Sequence, residues 1–360
     1  MKKNLAFIFL LTAAFTFSTF GQTAQPTPPV EDDGEVIKVS SRLVVVPVSV
    51  LDASGQPVLG LKAQDFRVAE ENKTQLIDQV SDAENVPLEI ALLIDVSSSV
   101  NKIFELEKSA AAQFLQGVMR AEDRATIFLI TDKPILLQTR DTAEKTSINI
   151  RSIAQTKSST AFYDTVTAAA RYLSANAKPR SRRVILSLSD GEDNYSQLTR
   201  NSTVAAYKDL DVNKLTQKDL DQRANRTGKS HALAQAAVLK SLQNADTVFY
   251  TINASGPSVR LNVASQRAQT ALQQFADETG GTAFLPQFVT EKNSASFEKQ
   301  NIKILDTIFR QISAELRAQY LLQYYSEADF PTNKYIKLNV ELTNPQKSRV
   351  RTRRGYFVKN

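Results

Sequence analysis

Cysteine is absent and histidine occurs once, at position 231, in a chain of 360 residues. Those absences remove most catalytic and metal chemistries at the outset. No cysteine nucleophile, disulfide, Cys/His zinc site or iron–sulfur cluster can be built, and a Ser-His-Asp triad would have to use His231. His231 lies in the polar run Arg226-Thr-Gly-Lys-Ser-His-Ala, which reads as a loop entering a helix, so a surface position is expected for it. Lipid attachment at an N-terminal cysteine is excluded as well. Beyond Phe20 no apolar run is long enough to cross a bilayer of about 30 Å. Exposed aromatics interleaved with basic residues are also missing, so nucleic acid is not an expected partner.

The N-terminus has the form of an export signal: Lys2 and Lys3, an apolar run from Leu5 to Phe20, then small and polar residues. Residues 1–22 are read as the signal and 23–36, with Pro26, Pro28 and Pro29, as an extended linker. The mature chain is expected to be secreted or periplasmic, with no transmembrane segment. Net charge is +6 and apolar content 42%, enough for a sizeable core. Arg349, Arg351 and Arg353 recur at every second position, with Arg354 following, the pattern of a strand with one solvated face.

From 37 to 86 the sequence reads as strands alone: Leu43–Leu51, Phe66–Ala69 and Leu76–Val80, with a turn at Glu71–Lys73. From Leu88 strands and helices alternate, which predicts an α/β fold with a doubly wound, mostly parallel sheet. Strand pattern returns at Ala318–Tyr325, Tyr335–Leu342 and Val350–Val358. Neither terminal set is large enough to stand alone, so the two are expected to pair into a small β-sandwich with the α/β unit inserted between them.

The first strand of that unit ends in the carboxylate of Asp95, followed by the hydroxyls of Ser97 and Ser99. The C-terminal edge of a parallel sheet is where such folds place their ligands. Donors that are oxygen only suit Mg²⁺ or Mn²⁺ better than metals that prefer nitrogen and sulfur. Thr160 before a helix and Asp190 after the strand Arg183–Ser189 could converge there. Each residue taken alone is an ordinary cap or turn former.

Together, Asp95-Val-Ser97-Ser-Ser99, Thr160 and Asp190-Gly191 resemble the metal-ion-dependent adhesion site of von Willebrand factor type A (VWA) domains, a Rossmann-like family. Phe162-Tyr163-Asp164 after the threonine agrees with that pattern, while Ser158-Ser159 stand where many members have Gly-Gly. The flanks, with Asp65-Phe66, Tyr320-Leu-Leu-Gln-Tyr-Tyr and Arg353-Arg-Gly-Tyr356, are similar to a bacterial group of secreted VWFA-related proteins. The resemblance implies a VWA domain over 87–317, with an insertion at about 200–230, between β segments at 37–86 and 318–360. It implies a site of Asp95, Ser97, Ser99, Thr160 and Asp190 around Mg²⁺, with Mn²⁺ or Ca²⁺ as alternatives, one carboxylate acting partly through water. A protein partner would complete the shell with an acidic side chain. The implied role is non-enzymatic: adhesion or assembly of an envelope complex, with the last helix, Ile302–Leu316, coupled to capture.

Two other readings compete. The ion could be purely structural, in a scaffold that acts through its β module. A metal-dependent hydrolase is disfavoured because no histidine or lysine accompanies the hydroxyls to activate water. The run Asp209–Asp219 faintly echoes a calcium loop, but it lacks glycine at the sixth position and an acid at the twelfth.

Overall fold

The computed structural model describes residues 41–97, 103–201, 216–253, 255–256, 262–289, 296–345 and 348–359, without the side chains of 218–224. The expected export signal and linker, Ser99 and the run 202–215 lie outside the described residues. Strands β1 (Arg42–Leu51), β2 (Phe66–Glu70), β3 (Lys73–Gln75) and β4 (Ile77–Asp82) come first. The α/β unit follows as β5 (Leu88–Asp95), α1 (Phe104–Val118), β6 (Arg124–Ile130), β7 (Pro134–Asp141), α2 (Ala143–Arg151), α3 (Phe162–Asn176), β8 (Arg182–Leu188) and α4 (Gln217–Asn244). It continues through β9 (Thr247–Ile252), α5 (Val263–Thr279), β10 (Ala283–Phe284) and α6 (Phe297–Arg317). The chain then returns through β11 (Tyr320–Ser326), β12 (Tyr335–Leu342), β13 (Arg349–Thr352) and β14 (Gly355–Phe357).

The central six-stranded sheet has the order β10-β9-β8-β5-β6-β7, parallel except for β7, which runs antiparallel to β6. Every residue of β5 is buried because both faces are covered. Leu88, Ile90, Leu92 and Ile94 point to the side packed by Leu115 of α1 and Leu305, Phe309 and Ile312 of α6. Ala91 and Leu93 point to the other, packed by Phe162 and Val166 of α3, Val238 of α4 and Phe275 of α5. This period of two with apolar residues on both sides is what an interior strand of a doubly wound sheet requires.

The terminal strands form two four-stranded antiparallel sheets, β13-β1-β11-β4 and β14-β12-β2-β3, each drawing on both ends of the chain. Their inner faces share one core, with Val44, Val46 and Val48 on one sheet and Val68, Ile336 and Leu338 on the other. The fold is therefore mixed α/β with an added β-sandwich. Glu70 is buried in that core and accepts hydrogen bonds from the hydroxyls of Tyr324 (3.2 Å), Ser326 (2.7 Å) and Tyr356. No helix among the described residues is long and apolar enough to cross a membrane.

Several local readings need correction. Helix α2 is a further helix, capped by the Thr142 hydroxyl; its apolar stripe is too thin to read as periodic. The strand read over Leu76–Val80 begins at Ile77, and Leu76 is exposed between β3 and β4. His231 is in the body of α4 rather than in a loop, since Gly228 is tolerated within a long helix whose other face is packed. The arginine strand is less solvated than its alternation suggests. Arg351 Nη1 donates to Gly281 O at 2.7 Å, and Arg353 pairs with Asp246 at 2.8 Å while donating to Val45 O at 2.9 Å. Those side chains join the sandwich to the α/β unit.

Candidate functional site

Strand order reverses at β5 and β8: the chain leaves β5 for β6 on one side, and leaves β8 for β9 and β10 on the other. Helix connections at such a point diverge and open a crevice at the C-terminal strand ends. Ile94 pairs with Leu188, so Asp95 and the segment Ser189-Asp190 emerge side by side. The Asp95 carboxylate accepts the Ser97 N–H at 3.0 Å on Oδ1 and the Ser189 hydroxyl at 2.7 Å on Oδ2. Gly191 has φ +75, and a Cβ there would lie 2.7 Å from the Leu272 side chain, so the glycine lets the chain turn away immediately after Asp190.

The Thr160 segment is stitched to both neighbours. Thr156 N–H donates to Val96 O and Ala161 N–H to Thr131 O, each at 2.7 Å, which lays residues 156–161 across the ends of β5 and β6. Thr160 N–H donates to Asn194 Oδ1 at 2.9 Å, and Thr160 O accepts the N–H groups of Asn194 (3.1 Å) and Tyr195 (3.0 Å). Asp95, Ser97 and Thr160 are all buried. The structure thus gathers Asp95, Ser97 and Asp190 at adjoining strand ends and ties the Thr160 loop to the loop after Asp190. Ser99 is outside the described residues.

Electrostatically the site is unbalanced. Burial raises the Asp95 carboxyl above its ordinary range, against the hydrogen bonds from Ser189 and Ser97. Burial, with the negative charges of Asp95 and Glu192, pushes Asp190 up to about 6. On α1, Glu107 is buried with Oε1 lacking a hydrogen-bond partner, and burial together with Asp95 and Asp190 pushes it up to about 8. The main charges acting on Glu107 and Asp190 are those of neighbouring acids, all of the same sign. No group of three or more acids or histidines among the described residues could hold an ion alone, so an ion here needs the hydroxyls. Uncompensated buried carboxylates beside serine and threonine oxygens fit a hard divalent cation.

Glu107 and Asp193 are additions to the residues read from sequence. Glu107 falls one turn after Ile103 and one before Ala111, on the apolar stripe of α1, where a carboxylate is the exception. Asp193 is a positioning residue: it accepts the N–H groups of Tyr163 (2.9 Å) and Ser196 (3.2 Å) and the Thr199 hydroxyl (2.9 Å). Behind it, Tyr163 meets His231 edge-on at 6.0 Å between ring centres.

His231 is partly buried, and burial, aided by the positive charge of Arg267, lowers its pKa to about 4 from 6.5. A depressed histidine stabilises the fold fully above 6.5 and loses that contribution as pH falls through about 4. His231→Phe is expected to reduce the loss of stability over this window by about 1 kcal/mol, after allowance for solvent screening. Urea unfolding at successive pH values measures it; parallel curves for the two proteins would count against a neutral packed histidine.

Residues 90–192 match the family model of the von Willebrand factor type A domain, a span that contains Asp95, Ser97, Thr160 and Asp190. The chain carries a VWA domain. Similar solved structures include BatB of Bacteroides thetaiotaomicron, 13% identical with a TM-score of 0.34, covering 62% of this chain and 99% of that one. The PilB minor pilin of Streptococcus sanguinis is 17% identical with a TM-score of 0.44, over 64% of this chain and 62% of its own. Proximal thread matrix protein 1 of the mussel byssus, solved with a zinc-occupied MIDAS motif, is 12% identical with a TM-score of 0.39, over 69% and 50%. No curated protein sequence matches closely enough to count as a relative.

Proposed function

We propose that this protein binds a partner protein through a divalent cation, Mg²⁺ by the hardness of the donors, held by Asp95, Ser97, Ser99, Thr160 and Asp190. The observation that carries this reading is the pair Asp95, buried, and Asp190, partly buried beside it, where burial raises both carboxyls and the main charges acting on Asp190 are those of Asp95 and Glu192. A fold does not keep two such acids in low dielectric without something to balance them. When bound, the cation supplies a Lewis-acidic position for an anionic oxygen, which a carboxylate of the partner fills.

The protein's own residues do the positioning. Ser189 and the Ser97 N–H orient the Asp95 carboxylate, Gly191 sets the turn after Asp190, and Asn194 fixes the Thr160 backbone. With the export signal read from residues 1–22, the reading is an exported protein for adhesion or assembly in the cell envelope. Calorimetric titration with Mg²⁺ tests the site: Asp95→Ala is expected to weaken binding by more than about 100-fold, beyond the loss typical of residues that only support a ligand. Equal titration curves for wild type and variant would remove Asp95 from the site.

A further inference from the structure

We infer that a cleft between the α3–α4 layer and the β12–β14 strand pair, remote from the ion site, binds a phosphoryl group. The cleft has a volume of about 370 Å³ and is lined by Arg183, Lys359, Ser174, Asn244, Thr332 and Asn333; no acid lines it among the described residues. That volume is at the lower end for small-molecule sites. Arg183 is the second residue of β8, Ser174 is in the last turn of α3 and Asn244 ends α4, whereas Thr332-Asn333 lead into β12 and Lys359 follows β14. The cleft is therefore at the N-terminal ends of the parallel strands. The length of β8, roughly 20 Å at about 3.3 Å per residue, separates Arg183 from Asp190.

Arg183 is the anchor. Its Nη1 donates to Ala245 O at 2.8 Å, while Nε is buried without a hydrogen-bond partner. The edge formed by Nε and Nη2 is thus left without a protein acceptor, and such an edge engages an oxyanion through two parallel hydrogen bonds. Arg183 enters no ion pair among the described residues. The neighbouring acids are already taken. Glu89, opposite Arg183 in the β5–β8 register, accepts Arg140 Nε at 2.8 Å, and Asp246 is shared by Arg353 at 2.8 Å and Lys359. The turn into β8, Lys178-Pro-Arg-Ser-Arg-Arg183, adds exposed Lys178 and Arg180 and contains no acid. Charge of one sign gathered at a cleft draws in anions. The C-terminal ends of α3 and α4 oppose an anion, but that effect fades beyond the last turn, and the Ala245 carbonyl is covered by Arg183 itself. A carboxylate would use the guanidinium edge alone; further donors from Lys359, Thr332 and Asn333 on the sandwich side favour a group with three or more oxygens. By contrast, a second cleft lined by Lys337 and Arg354 also carries Asp277 and Glu278, so its charge selects neither sign.

Calorimetric titration of the full chain with inorganic phosphate tests the site, in metal-free buffer at constant ionic strength so that a cation at the strand ends cannot supply the contact. Wild type is expected to bind phosphate saturably. Arg183→Gln and Lys359→Gln should each bind about tenfold more weakly, the loss of one charge-assisted hydrogen bond, and Asp95→Ala should titrate like wild type. Lys359 lies beyond the last strand, so Lys359→Gln reports on the cleft even where Arg183→Gln fails to fold. Two further probes distinguish the source of the group. Binding of glycerol 3-phosphate that both variants weaken identifies a soluble phosphoester. Co-sedimentation of wild type, and less of either variant, with phosphatidylcholine vesicles that contain phosphatidic acid identifies a lipid headgroup. No saturable binding of any of these probes, binding that both cleft variants keep unchanged, or binding that Asp95→Ala abolishes would overturn the site. None of those results bears on whether Asp95 and Asp190 hold a cation, which the Mg²⁺ titration decides separately.

Discussion

Without metal, the protein is expected to lose stability as pH rises through the carboxylate range, and Asp190→Asn is expected to be more stable than wild type at pH 8. Asp190 is raised from 3.8 to about 6 and Glu107 from 4.5 to about 8 by the fold. An acid whose pKa is raised by folding stabilises the native state below its unfolded value, and that contribution is lost as pH rises through the folded value. The window therefore opens near pH 4 and closes near pH 8, Asp190 acting in its lower half and Glu107 across nearly all of it. A rise of roughly two units at Asp190 corresponds to about 3 kcal/mol, of which Asn recovers about half because it loses a charged acceptor for the Glu192 N–H.

Mg²⁺ should reverse the order. A ligand at about 100 times its dissociation constant adds about 2.7 kcal/mol to the state that binds it. Wild type gains this and Asp190→Asn does not. Unfolding by urea at pH 8, in Mg²⁺ and in chelator, reads both halves. A variant less stable than wild type under both conditions would mean that the buried acids are balanced from within the fold, and the case for an ion would fail.

The sign of that experiment depends on geometry that was readable to different degrees from residues alone. Asp95 and Asp190 can be placed at one sheet edge because an unbroken apolar run, Ile90–Ile94, precedes the first and a Val/Ile/Leu-rich stretch, Val184–Leu188, the second, and such stretches become neighbouring parallel strands. The alternating valines of β1 and the 336, 338, 340 alternation of β12 likewise reveal half-buried strands that need a facing sheet. Glu107 is harder to see, because its importance comes from burial within electrostatic reach of Asp95 and Asp190 and not from its neighbours in sequence. The same holds for Arg351 and Arg353. A strand with alternating arginines looks solvated until the α/β unit supplies Gly281 O and Asp246 as partners. Helix α4 shows the opposite failure: its polar N-terminal part reads as a loop, yet Ala234, Val238 and Leu242 anchor its far end in the core.

Asp123→Ala is expected to cost about 3–5 kcal/mol, the range for removing one partner of a buried ion pair. The Asp123 side chain is fully buried at the opposite edge of the sheet from the ion site, where the chain enters and leaves the α/β unit. Its carboxylate accepts the Leu88 N–H at 2.7 Å, the Arg120 N–H at 2.8 Å and Arg317 Nη2 at 2.6 Å. One side chain thus ties the first residue of β5 to the last of α6. Alanine would orphan two backbone donors and leave the Arg317 guanidinium unbalanced. That guanidinium already helps burial lower Arg182 to about 10. Arg182 in turn donates to Leu316 O and to Gln319 Oε1, at the start of the returning strands.

Because the damage lies mainly in the uncompensated charge, Arg317→Met in the Asp123→Ala background should restore about 1–2 kcal/mol of what the single variant loses. Guanidinium unfolding of both single variants, the pair and wild type gives the coupling. A purely additive cycle would mean that Arg317 finds water when Asp123 is gone, and that the junction is held by the backbone hydrogen bonds of Leu88 and Arg120 alone.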